Sequence, residues 1–116
     1  MFLPSLPSNK LAAIDVLGFG SNLKVFMVYD KPFWSDPNVI VPLYVEDCAQ
    51  KSLLAEYIHV VEHSSWNNNV LVIWFVGKGP EIIGQLNDDK LNYEITSLFQ
   101  NSLQDFSIPR AQKVIR

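Results

Sequence analysis

The chain has 116 residues, enough for one domain or for part of a larger one. Its apolar fraction of 48% and charged fraction of 18% are typical of a globular protein and exclude a disordered one. The net charge of −3 is spread along the chain without a basic run, which argues against nucleic acid and anionic lipid as partners. The longest apolar run, residues 70–76, is much shorter than the ~20 residues of a membrane-spanning helix, so we expect no membrane span.

The first predicted element is a short helix over residues 9–17. Ser8 can cap its first turn, and Gly18 suits the left-handed conformation that often ends a helix. Helical spacing predicts that one face of this helix is buried, formed by Leu11, Ile14 and Leu17.

The next element is a strand over residues 23–29, which Pro32 terminates. Because side chains alternate along a strand, Lys24 shares a face with Phe26 and Val28. A lysine among apolar neighbours either extends its ammonium to water or has a polar task. The strand pattern by itself favours the first of these.

Three further strands are predicted in the middle of the chain. Residues 39–45 form an edge strand, because Pro42 lacks the backbone N–H that a central strand needs, and residues 46–56 connect it to the next strand. Residues 57–63 and 70–76 form a hairpin around the asparagines at 67–69. The second hairpin strand is apolar on both faces and is therefore expected at the centre of the sheet.

The strongest helical signal lies in the C-terminal third, after a turn at residues 77–83. Asn87 is a suitable N-cap, and Asp88 and Asp89 favour the positive end of the helix dipole. A helix to Asp105 would bury one face and leave Lys90, Glu94, Thr96 and Gln100 in water; the buried face comprises Leu91, Ile95, Leu98, Phe99, Ser102 and Leu103. Residues 107–116 close with Val-Ile-Arg, which predicts the start of a further strand. We therefore predict an α+β fold, with a mixed, mostly antiparallel sheet and this long helix packed on one face.

Other candidate sites give weaker signals. His59 and His63 have a metal-ligand spacing only on a helix; on a strand they are about 13 Å apart, so we expect no metal site. Residues 77–79, Gly-Lys-Gly, lack the spacing of a phosphate-binding loop. The single cysteine, Cys48, is interpreted as a passive thiol, and the tryptophans at 34 and 74 as packing residues.

Several separated segments together resemble the flavin-containing amine oxidases, most closely the spermine and N-acetylpolyamine oxidases. FLPSLPSNKLAAIDVLGFG resembles the family segment F-x-P-x-L-P-x-x-K-x-x-A-I-x-x-L-G-F-G. LKVFMVYDKPFW resembles its lysine-bearing strand, WFVG its Trp-x-x-Gly strand end, and IPRAQKVIR the segment after the long helix. The segments occur in the family order and cover nearly the whole chain.

The resemblance implies that residues 1–116 are a partial amine oxidase domain, the substrate-binding part, without the dinucleotide fold that binds FAD. It places Lys24 at the lysine that holds a water near flavin N5, as the single catalytic and cofactor-binding residue. The implied reaction removes hydride from the carbon beside an amine nitrogen and releases hydrogen peroxide, with polyamines as substrates. The isolated chain is expected to be inactive and not to retain FAD.

Two further expectations concern partners and location. Once separated from a dinucleotide-binding domain, the uncovered face of the sheet could instead bind another protein or a second copy, so a non-enzymatic interaction module is the alternative function. The first ten residues lack a basic leader and contain two prolines, so they are not a secretory signal. We expect a cytoplasmic location, with the peroxisome as the alternative.

Overall fold

A computed structural model describes residues 3–17, 20–35, 39–40, 52 and 54–116, the backbone alone at 39 and 40. In chain order the elements are α1 (Ser8–Leu17), β1 (Leu23–Val28), β2 (Val39–Ile40), a 3₁₀ turn (Ala55–Tyr57), β3 (Ile58–His63), β4 (Val70–Phe75), α2 (Gly79–Gly84), α3 (Asp88–Leu103) and β5 (Lys113–Ile115).

The described strands form one sheet in the order β2-β3-β4-β1-β5, and every pairing among them is antiparallel. β4 lies at the centre, as its apolar sequence predicts, with β3 on one side and β1 on the other. The hairpin turn at residues 67–69 sets the register between β3 and β4, in which Glu62 lies opposite Val72. Together with the helices, this sheet confirms the predicted α+β class.

The hydrophobic core lies between one face of the sheet and helices α2 and α3. Val25, Ile73 and Phe75 of the sheet meet Leu91 and Ile95 of α3, and all five are fully buried. The predicted cap is confirmed: Asn87 Oδ1 accepts a hydrogen bond from the backbone N–H of Lys90 at 2.8 Å. α3 is therefore fixed at its first turn and along its buried face.

The prediction of a buried face on α1 is wrong. Leu11, Ile14 and Leu17 are exposed by 46%, 55% and 83%, and no residue of α1 is buried. Helical spacing shows which side chains share a face, but it cannot show that another element covers that face. The same limit explains Thr96, which was expected in water but is buried, with its hydroxyl on Asn92 Oδ1 at 3.3 Å.

The remaining boundaries differ by small amounts. Residues 79–84, expected as part of a turn, form the six-residue helix α2, which begins with Gly79 and Pro80. Only the first two residues of the predicted strand 39–45 are described, and its remainder, like Gly18 and Cys48, lies outside the described residues. The predicted C-terminal strand is present as β5.

Side chains of α3 bind the segment that leads to β5. Asn92 Nδ2 donates to the carbonyl of Ala111 at 2.7 Å, and Asn92 Oδ1 accepts from the Ala111 N–H at 3.1 Å. Gln100 Nε2 donates to the carbonyl of Ile108 at 2.8 Å. These bonds guide the chain back along β1, where the Gln112 N–H donates to the Val28 carbonyl at 2.7 Å.

Candidate functional site

The face of the sheet opposite α3, which we call the second face, carries Lys24. Because directly opposed residues share a face, the register defines it as Lys24, Phe26 and Val28 of β1, Val60 and Glu62 of β3, Val70, Val72 and Trp74 of β4, and Lys113 and Ile115 of β5. Val70 and Val72 at its centre are buried, whereas Lys24, Lys113 and Ile115 near its edge are exposed. The second face is thus mainly apolar, with charged groups at separate positions.

Lys24 lies directly opposite Trp74 in the β1–β4 ladder. Its ammonium nitrogen is 4.0 Å from the centroid of the Trp74 ring, a cation–π contact that is worth about 0.5–1 kcal/mol at an exposed site. The side chain is exposed, as the strand pattern by itself indicates, but the ring fixes the position of its charge. Lys24 therefore combines access to water with a defined place on the second face.

Trp74 also contacts β3, the neighbouring strand on the side away from Lys24. Its indole Nε1–H donates a hydrogen bond to Glu62 Oε1 at 3.0 Å, and both side chains are half-buried. Lys24, Trp74 and Glu62 therefore form one row of contacts across β1, β4 and β3. The interpretation of Trp74 as a pure packing residue is incomplete, because its ring face and its N–H both contact charged groups.

The sequence reasoning did not identify Glu62 as part of this site. Glu62 and Trp74 are 12 residues apart, on strands joined by a short hairpin. The hairpin turn fixes Glu62 opposite Val72 and hence diagonal to Trp74, within reach of a long side chain. The register of the predicted hairpin would therefore have indicated a contact between Glu62 and Trp74.

Trp66 adds an exposed aromatic ring beside the second face. It is 71% exposed, and its ring centroid lies 6.5 Å from that of Phe26. Its backbone N–H donates to Ser64 Oγ at 3.3 Å, which fixes the turn that leads out of β3.

The Pro-Phe-Trp segment after β1 packs on the core side. Tyr29, Phe33 and Trp34 form edge-to-face pairs with ring centroids 5.0–5.6 Å apart, which confirms Trp34 as a packing residue. The Tyr29 hydroxyl is buried and has no hydrogen-bond partner among the described residues. Burial raises the pKa of Tyr29, because the phenolate would be poorly solvated.

The two histidines lie apart from this row. His59 is exposed, and His63 Nδ1 lies 3.4 Å from the carbonyl oxygen of Ser64. Over the described part of the chain, no group of three or more His, Cys, Asp or Glu side chains could hold a metal ion. The helices described there include none that is both long and apolar enough to cross a membrane.

Comparison with known proteins identifies the family of this chain. A profile of the family described as flavin containing amine oxidoreductase matches residues 1–116. The chain belongs to this family. Among the proteins similar to this chain are "Protein anon-37Cs" of Drosophila melanogaster, 28% identical over 100% of the chain, and human "Peroxisomal N(1)-acetyl-spermine/spermidine oxidase", 26% identical over 99%. "Histone demethylase-like protein A" of Aspergillus fumigatus is 27% identical over 93% of the chain.

The chain is short in comparison with these relatives. The alignments cover 24% of the Drosophila and human proteins and 11% of the Aspergillus protein. The chain thus spans about a quarter of the length of the first two.

Proposed function

We propose that this chain is the substrate-binding part of an FAD-dependent amine oxidase and that Lys24 holds a water molecule beside the flavin ring. The family supports a flavin and an amine substrate. The name of the human relative, "Peroxisomal N(1)-acetyl-spermine/spermidine oxidase", supports a polyamine. The observation that carries the proposal is the ammonium of Lys24, exposed on the second face and placed by the Trp74 ring.

The residues of the second face suit one side of a flavin site. Phe26 and Val28 provide an apolar surface beside the ammonium of Lys24, an arrangement that fits a planar aromatic group with a water at its edge. When bound, FAD would accept hydride from the carbon next to an amine nitrogen and pass electrons to dioxygen, giving hydrogen peroxide. Lys24 is the residue that would contact this group through the water.

The protein chemistry assigned to Lys24 is hydrogen bonding. An ammonium group has three N–H donors and no acceptor, and the Trp74 ring engages only one side of it. The remaining donors can hold a water oxygen. A hydrogen bond from a charged donor of this kind contributes about 1.5–3 kcal/mol.

We expect the chain by itself to be catalytically inactive. Incubation with FAD followed by gel filtration should give protein without bound flavin, and an added polyamine such as spermine should release no peroxide. A yellow protein peak that oxidises spermine would contradict this expectation.

The role of Lys24 can be tested in a chimera. Residues 1–116 would replace the matching segment of the human relative, and peroxide release would be measured with the unsubstituted, Lys24→Met and Lys113→Met forms. Lys24→Met should slow turnover about 10- to 100-fold, the effect of losing one charged hydrogen bond. Lys113→Met is the matched control, because Lys113 is an exposed lysine on the same face.

The chimera has two outcomes that contradict the proposal. Equal rates for the Lys24→Met and Lys113→Met forms would remove Lys24 from the site. A folded chimera that fails to bind FAD or to release peroxide would contradict the assignment of residues 1–116 to the substrate-binding part.

A second candidate function is that of an interaction module, and exposed apolar side chains favour it. Leu11, Ile14, Val16 and Leu17 of α1 are all exposed, and Trp66 and Ile115 are exposed beside the second face. Such surfaces commonly bind another protein or a second copy. For either function we propose a cytoplasmic or peroxisomal location; the name of the human relative includes the word peroxisomal.

A further inference from the structure

We propose that Glu62 is a positioning residue for Lys24 and acts through the indole of Trp74. The inference rests on the proposed function, in which the ammonium of Lys24 must be held at one place. Glu62 Oε1 accepts a hydrogen bond from Trp74 Nε1–H at 3.0 Å, and Lys24 Nζ lies 4.0 Å from the centroid of the same indole. One ring is thus bound at its edge by an anion and on its face by a cation.

The hydrogen bond from Trp74 to Glu62 selects the plane of the ring. A tryptophan side chain turns about two bonds, and a half-buried ring on a sheet face has more than one staggered position. A carboxylate acceptor binds the indole N–H more strongly than a neutral oxygen would. The ammonium of Lys24 binds to the face of this ring, so its position depends on the ring plane. By selecting that plane, Glu62 also determines where the ammonium lies.

The negative charge of Glu62 also strengthens the contact between Lys24 and the Trp74 ring. An aromatic ring is negative on its face and positive at its edge, and an anion beside the N–H edge increases this polarisation. The attraction between Lys24 and the ring face is then stronger. No ion pair links Lys24 directly to Glu62, so the carboxylate does not occupy the N–H donors that would hold a water.

Proton NMR of the 116-residue chain tests this coupling without any cofactor. A ring face shifts the ε-methylene protons of Lys24 upfield, and the hydrogen bond to Glu62 slows exchange of the Trp74 indole proton with water. In Glu62→Ala the upfield shift should be lost, and the indole proton should exchange at least about tenfold faster, because a hydrogen bond to a charged group is removed. In Glu62→Gln both signals should be retained, since the side-chain carbonyl still accepts the bond.

Folding of each variant is checked from the methyl resonances of Ile73 and Leu91, which are buried on the opposite face of the sheet. If Glu62→Ala does not fold, Trp74→Phe gives the same information, because it keeps an aromatic ring but has no N–H to bind Glu62. In Trp74→Phe the upfield shift of the Lys24 ε-methylene protons should be much smaller than in the wild-type chain. An unchanged Lys24 shift in a folded Glu62→Ala or Trp74→Phe variant would overturn the proposal.

The two hypotheses about this site fail separately. The NMR measurements concern only contacts within the chain, whereas the role of Lys24 is decided by the Lys24→Met chimera. Loss of the Lys24 shift in Glu62→Ala therefore supports the positioning role even if Lys24→Met leaves turnover unchanged.

Discussion

Tyr29 places a hydroxyl in the core where the described residues offer it no partner. The residue is 1% exposed, and the rings of Phe33 and Trp34 pack against it edge-on. A buried polar group without a hydrogen bond costs about 1–3 kcal/mol. The ring of Tyr29 therefore stabilises the fold, while its oxygen opposes part of that gain.

Replacing Tyr29 by phenylalanine should increase the free energy of unfolding by about 1 kcal/mol, because the ring remains and the desolvated hydroxyl is removed. Urea denaturation of the two chains measures the difference. Tyr93→Phe is the control; Tyr93 is 52% exposed, so its change should remain within about 0.5 kcal/mol. A less stable Tyr29→Phe chain would show that the hydroxyl makes a stabilising contact.

The same substitution has a defined pH dependence. Burial raises the pKa of Tyr29 above its ordinary value of about 10, so the folded state favours the neutral phenol. Below pH 10 Tyr29 is neutral in both the folded and the unfolded state, so its titration does not change the free energy of unfolding. As the pH rises from 10 toward the folded-state pKa, only the unfolded state ionises, and the free energy of unfolding decreases. Between pH 9 and pH 11 the wild-type chain should lose about 1.4 kcal/mol more stability than Tyr29→Phe.

For Lys24, the sequence predicted the face of the strand on which the residue lies but not the contacts of its side chain. Alternation along the strand correctly put Lys24 on a face with Phe26 and Val28. The contact with Trp74 depends on the register between β1 and β4, which are 42 or more residues apart in the chain. No local pattern determines such a register, because it depends on how the whole sheet is assembled.

Among the elements, α2 packs closely against the sheet at Gly79. A Cβ atom there would lie 2.8 Å from the Cβ of Tyr57 and 3.1 Å from the Cβ of Phe75. Both of these atoms are attached directly to the backbone, so they cannot move aside without shifting the 3₁₀ turn or β4. The absence of a side chain at Gly79 thus determines how closely α2 approaches the sheet.

Gly79→Ala should therefore destabilise the chain by about 1–3 kcal/mol, the usual cost of overpacking a core contact. Gly84→Ala is the matched control in the same helix, because in the part of the chain that the structure describes no atom from another element lies within 4 Å of a Cβ built there. The control should be neutral or slightly more stable. Thermal or urea unfolding of both variants gives the comparison, and equal stability of the two would contradict the close approach.

The elements differ in how well the sequence predicts them. α3 has a side-chain cap and acidic residues in its first turn, and the structure has it at residues 88–103 with Asn87 as its cap. Its predicted buried face is confirmed at Leu91, Ile95 and Phe99 but is wrong at Ser102 and Leu103, which are exposed. α1 was also placed correctly along the chain, but its apolar residues contact no core. Local signals specify where a helix forms, while burial depends on a partner that the sequence of the helix does not contain.

For the molecule as a whole, the α+β class followed from the order of strand and helix patterns. β4 could be placed at the centre because it is apolar on both faces. The outer position of β5 was not predicted. It depends on the hydrogen bonds from Asn92 and Gln100 that lead residues 106–112 back to β1.

The exposed apolar side chains beside the second face lead to a prediction about assembly. Trp66 is 71% exposed and Ile115 is 43% exposed, and both lie at the side of the sheet that α3 does not cover. Burial of such side chains between two copies removes apolar surface from water, which favours association. We therefore expect the apparent mass of the chain to rise with concentration in sedimentation equilibrium.

Replacing Trp66 and Ile115 together by serine should shift this association to higher concentration, because the double variant removes an exposed aromatic and an exposed aliphatic side chain. The matched control replaces Tyr93 and Leu103 on α3, which are 52% and 50% exposed, again by serine. The control should associate as the wild-type chain does. A monomeric wild-type chain at all concentrations, or an equal effect of the two double variants, would show that the second face does not join two copies.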